Sequence, residues 1–232
     1  MPPAERPDRD GADSGYEAAF ELERQVVFRD GPIVVCLSPD VRDAGMFAAV
    51  VSGGIAVLAV RGEDGELRAF SNTCRHAAPM VIAEREGPGQ HAARAFTCPF
   101  ADWPDAHSDG EGSVRALPVA EGHGLVLVRP GGGAPVNVDD AVDPDPVWLD
   151  ALGLDAYRRA HATRAVRVAP WRTVVTEARA RPGARAVGPN AVLVPGGGPV
   201  ARAVELHRAF PLDPTECVVD VTRYVRVESG RA

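Results

Sequence analysis

The sequence predicts an α+β fold: a small antiparallel β unit led by one helix, then a second antiparallel sheet with one or two helices against it. Three observations carry this. Up to about residue 130, short apolar runs are separated by turn signals such as Gly53-Gly54 and Asp64-Gly65. Residues 131–146 are rich in Gly, Pro and Asp and read as a linker. Beyond them, helical and alternating stretches are mixed.

Taken in order, residues 1–15 are polar and read as a flexible leader. A helix is predicted over 16–28, with Asp13 or Ser14 placed to cap it and Phe20 and Val27 on its apolar side. Strands are predicted at 32–36, 46–51, 55–60, 67–71, 94–97 and 123–128, which makes 16–130 the β unit. The C-terminal unit, 147–232, should hold a helix over 147–160 broken at Gly153, a strand at 163–168 and a short helix over 171–180. Strands at 190–194, 202–210 and 217–227 complete it. Gly196-Gly197-Gly198 lacks the Lys-Ser/Thr of a phosphate loop and reads as a turn.

Composition excludes several function classes. The 32 acidic residues outnumber the 25 basic ones, for a net charge of -7, and no basic block is present, which argues against nucleic acid as a partner. No apolar run reaches the length of a membrane span, and the N-terminus has no signal-peptide core, so a cytoplasmic protein without a membrane partner is expected. All 25 basic residues are Arg, a bias that points to a GC-rich coding sequence rather than to site chemistry. The four cysteines, Cys36, Cys74, Cys98 and Cys217, are too few for a disulfide framework in a chain of 232 residues, which leaves metal binding or buried thiols.

The chemistry-bearing stretches are SNTCRH at 71–76 and CPFADW at 98–103. Two Cys and two His, arranged C-x-H and C-x-x-H on facing loops, are the ligands of a Rieske cluster. Here Cys74 and His76 complete the first pair, while Cys98 is followed by Ala101 where the second histidine belongs. With FELERQVVFRD before the β unit, GELRAFSNTCRH at the first loop and LPVAEGHGLVLVRP after the second, the chain resembles the α subunits of Rieske ring-hydroxylating oxygenases from residue 16 to 128. The family's second loop usually reads C-P-Y-H-G-W; Phe100, Ala101 and Asp102 depart from it, and Pro99 and Trp103 agree.

The resemblance resumes in LGLDAYRRAHATRAVRVAPWRTVVTEARA, similar to the entry of the family's catalytic domain, and in HRAFPLDPTECVVDVTRYVRV, similar to its end. It implies a Rieske-like N-terminal domain and a truncated, helix-grip-like C-terminal sheet. In the family, the helix after the Trp carries H-x4-H for a mononuclear iron; nothing after Trp171 offers such a pair.

What the resemblance implies is thus a degenerate, shortened relative with neither cluster nor iron, hence no cofactor and no bound metal. Other readings of Cys74, His76 and Cys98 are a cluster rescued by Asp102, His91 or His107, a zinc site, and relict side chains, with or without a Cys74–Cys98 disulfide. His123 reads as structural at a turn, and His161 as closing an Arg-rich helix end. Candidate pocket residues are Trp171, Glu177, Asn190, His207 and Tyr224.

The function expected is a cofactor-independent cyclase or isomerase of bacterial natural-product biosynthesis. Its partner would be a hydrophobic, polyketide-like small molecule held in a reactive shape. The alternatives are a non-catalytic α-like partner of an active oxygenase and a Rieske protein with a substituted ligand. Family α subunits commonly form trimers, so the resemblance also implies a homo-oligomer.

Overall fold

The computed structural model describes residues 9–71, 115–142, 146–196 and 202–227. Cys74, His76, Cys98, Ala101 and the strand expected at 94–97 lie outside them, as do the leader's first residues and Gly197-Gly198. Helix α1 spans Arg9–Glu23 and continues as a wider π turn, Arg24–Arg29. Strands β1 (Ile33–Leu37), β2 (Phe47–Ser52), β3 (Ile55–Arg61), β4 (Leu67–Ser71), β5 (Ala116–Leu117), β6 (Val119–Gly122) and β7 (Leu125–Val128) follow. All strand pairs are antiparallel, in sheets of order β1-β7-β6 and β2-β3-β4-β5.

The strand expected at 123–128 is the turn and second arm of a hairpin, whose first arm is β6. His123 and Gly124 form the turn between β6 and β7, both with positive φ (53° and 75°), as a type I′ turn requires. Pro118 and Glu121 break the apolar run of β6 and hide it from a pattern reading.

The segment 131–146 includes a short helix, α2 (Val138–Ala141), capped by Asn137, whose side chain accepts the Asp139 N–H. Val138 and Val142 are buried, so this stretch packs on the fold. Helix α3 (Pro146–Leu152) stops at Gly153, in the left-handed conformation, and a turn at Leu154–Ala156 follows.

The last four residues of the predicted helix 147–160 are instead the start of β8 (Tyr157–Arg167). Its Ala and Arg favour helix locally, but β8 pairs with the last strand from Tyr157 to Arg167, and tertiary pairing wins. His161 therefore sits on a strand, with no helix end to serve.

Helix α4 (Trp171–Arg179), β9 (Arg185–Gly188), β10 (Ala191–Gly196), β11 (Ala203–Pro211) and β12 (Cys217–Arg226) complete a five-stranded sheet of order β8-β12-β11-β10-β9. The fold is α+β, mostly antiparallel strands with few helices.

Strands β1 and β7 form the middle layer. Every one of their side chains is buried, and they alternate between two cores. Ile33, Val35, Val126 and Val128 join β2–β4 residues such as Val50 and Val57, together with Trp171, Phe210 and Val219. Val34, Leu37, Leu125 and Leu127 face Leu193, Val204, Leu206 and Tyr224 of the five-stranded sheet. Cys36 and Cys217 are free thiols in the first of these cores.

Candidate functional site

Helix α4 is amphipathic. Ala178 packs on Val192 and Val194 of the five-stranded sheet, with Val175 at the edge of that contact. At its start, Trp171 is buried edge-to-face against Phe28, with ring centroids 4.8 Å apart. On the other side lies an open groove of about 700 Å³ between α4, α2 and the turn after β9. Its lining includes apolar Val27, Trp171 and Val175 and polar Asp140, Arg172 and Arg179. Arg172 also stacks over the Trp171 ring at 4.8 Å and pairs with Glu23. The size suits one small organic molecule.

Of the five pocket candidates, only Trp171 lines this groove. Glu177 is turned away on exposed surface, in an ion pair with Arg167 at 2.8 Å. Asn190 is fully buried, and its side chain is consumed by Val34: Oδ1 accepts the Val34 N–H at 3.1 Å and Nδ2 donates to the Val34 carbonyl at 3.3 Å.

His207 lies across from Val192 in the β10–β11 register, on the face that carries α4. Its Nε2 is 2.7 Å from Arg181 Nη1 and 3.1 Å from Glu205 Oε2. Burial pushes this imidazole below its ordinary value, with Glu205 pulling it up and Arg181 down. Tyr224 is on the opposite face, buried, and donates its hydroxyl to Asp40. Burial and the Asp40 charge push the phenol well up; burial also raises Asp40, although the Tyr224 bond opposes it.

Residue type alone did not reveal a buried ionic seam beside Tyr224. Asp220 is 3% exposed and is held by Arg164 in two parallel bonds of 2.6 and 2.9 Å, with Arg208 at 3.3 Å. Burial drives the Asp220 carboxyl up, but the guanidiniums outweigh it and hold it below the ordinary range. Arg208 also donates to the Val35 carbonyl, so the seam ties β1 to the sheet. Cross-strand register was the signal that could have found it, since Arg208, Asp220 and Arg164 stand side by side on β11, β12 and β8.

At the positions that match the family's cluster ligands the donor set is one short. Cys74, His76 and Cys98 offer three donors, and the methyl group of Ala101 offers none. Helix α4, WRTVVTEAR, carries no histidine, and no group of three His, Cys, Asp or Glu side chains able to hold a metal exists among the described residues.

Residues 31–130 match the Rieske [2Fe-2S] domain family. The chain is 30% identical over 143 residues to the anthranilate 1,2-dioxygenase large subunit of Burkholderia cepacia, covering 61% of this chain and 30% of that one. It is 25% identical over 175 residues to the glycine betaine monooxygenase oxygenase subunit of Chromohalobacter salexigens, covering 69% of this chain and 38% of that one. The chain thus spans about a third of the length of these relatives.

A solved quaternary ammonium Rieske monooxygenase shares the fold, with a TM-score of 0.72 at 18% identity over 93% of this chain and 76% of that one. No described helix is long and apolar enough to cross a membrane. The chain carries a Rieske domain at residues 31–130 and is a homologue of the Rieske oxygenase α subunits.

Proposed function

We propose that this homologue works without iron, as a cytoplasmic cyclase or isomerase that folds a hydrophobic, polyketide-like molecule into a reactive shape in the groove beside α4. The observation that carries the reading is the helix itself. After Trp171 it runs only to Arg179, bears no histidine, and is followed within a few residues by β9, which supports a reading without the family's mononuclear iron. Ala101 supports the same conclusion for the cluster.

What the groove offers is an apolar wall of Val27, Trp171 and Val175, beside Arg172 and Arg179, which can bind or polarise an oxygen of the ligand. Confining a flexible chain for an intramolecular step contributes on the order of 7–11 kcal/mol in favourable cases.

A second reading, a non-catalytic α-like partner of an active oxygenase, draws on a different observation. The pocket candidates do not converge, and Val166, Val168 and Leu212 are exposed apolar side chains.

The test is incubation of iron-free protein with linear polyketide-like precursors, read by mass spectrometry. Ring-closed or isomerised product is expected, and its loss in Val175→Arg, which fills the groove, would place the reaction there. Uniform inertness would favour the partner reading. Stoichiometric iron and sulfide after anaerobic isolation would overturn both in favour of a cluster with a substituted ligand.

A further inference from the structure

We propose that His123 is a proton-operated clasp that fixes α2, one wall of the groove, through simultaneous bonds to Asp139 and Asp150. The ring stands at the tip of the β6–β7 hairpin in a left-handed backbone conformation, φ 53°, that L-residues other than Asn, Asp and His seldom adopt. From there Nε2 lies 2.8 Å from Asp139 Oδ1 on α2, and Nδ1 lies 2.7 Å from Asp150 Oδ1 on α3. One side chain thus joins three elements.

A neutral imidazole has a single N–H and can donate only one of these bonds; its other nitrogen would present a lone pair to a carboxylate. Only the imidazolium satisfies both partners. The bonds from Asp150 and Asp139 raise the ring's affinity for its proton against a small opposing effect of burial.

Among the described residues, the neighbouring charges on α2 and β6 are engaged elsewhere. Asp140 on α2 is turned toward the Asn137 amide, and Glu121 on β6 pairs with Arg61. At Asp155, beyond α3, Arg42 bonds the carbonyl, and the same turn presents the Leu154 side chain to the hairpin at Gly124.

The link to the groove is direct. Asp139 is followed by Asp140 and Ala141 on α2 and by Val142 just after it, and all three line the groove. Val138, packed against Gly122, and buried Val142 hold the apolar side of α2 whatever the charge on His123. Loss of the proton therefore loosens the wall and does not unfold it. The clasp rests on the groove being the working site, but its test needs no substrate.

That test pairs an NMR titration of the His123 ring with hydrogen exchange at residues 138–142. His123→Asn removes the titrating group while keeping a residue that tolerates the turn, and identifies the His123 signals. In the native protein His123 should titrate clearly above the ordinary value of about 6.5. Exchange at 138–142 should speed up several-fold across that titration, beyond the chemical rate. In Asp139→Asn/Asp150→Asn the titration should fall back toward the ordinary value. In His123→Asn exchange should follow the chemical rate alone.

A native His123 titrating at or below 6.5 would overturn the clasp, and so would exchange at 138–142 indifferent to its charge. Absence of any product from the precursors would count against the function of the groove and leave these results standing.

Discussion

Asn190 stands beside Val34 as a strand would, its one side-chain amide both accepting the Val34 N–H and donating to the Val34 carbonyl. β1 ends its sheet on that side, since the order is β1-β7-β6. A buried strand edge left with unpaired backbone groups would be costly. Asn190 and Arg208, which takes the Val35 carbonyl, cover that edge from the turn before β10 and from β11.

Asn190→Ala should therefore destabilise the protein by about 2–4 kcal/mol, from two buried backbone groups left without partners. Asn190→Asp should be at least as severe, because a carboxylate oxygen would face the Val34 carbonyl. Urea unfolding followed by circular dichroism measures both.

The Asp220 seam predicts acid sensitivity. Its carboxyl is held below the ordinary value in the folded state, so its stabilisation is present above the unfolded pKa of about 3.9 and lost as pH falls through the folded one. Asp220→Ala, which leaves Arg208 buried without its carboxylate, should cost about 3 kcal/mol at pH 7. The gap between native and variant unfolding midpoints should narrow steadily below pH 4.

Trp171 closes the core at the foot of the groove. Trp171→Ala should cost about 3–5 kcal/mol, and Trp171→Phe distinctly less, because a ring still meets Phe28 edge-on. Thermal unfolding of the two variants separates these outcomes.

Chelation gives a fourth expectation. If no metal supports the fold, overnight treatment with EDTA and a ferrous chelator leaves the melting temperature unchanged. Ala101→His, which restores a fourth donor, should raise the iron retained in anaerobic preparations. A drop of several degrees in the native protein on chelation would contradict the metal-free reading.

The sequence made β2–β4 legible because their apolar runs are bounded by Gly53-Gly54 and Asp64-Gly65, and α4 because it lies between Pro170 and Pro182. It concealed β6 and β9, which are four residues each, and misdirected the start of β8, where local helix preference yields to pairing with β12. The site was less legible than the fold. The β11–β12 register places His207 and Tyr224 on opposite faces of one sheet, which alternation along either strand does not reveal, nor that one face meets α4 and the other meets β1. Only the folded arrangement decides that Asn190 serves a strand edge and Glu177 the surface.

The double-sided burial of β1 and β7 reaches beyond stability. A protease nick or a gene split after residue 130 would free two pieces, each with an oily surface made for the other: Val34, Leu37, Leu125 and Leu127 on one, Leu193, Val204 and Leu206 on the other. Such halves are suited to reassemble in trans when co-expressed and to aggregate when made alone.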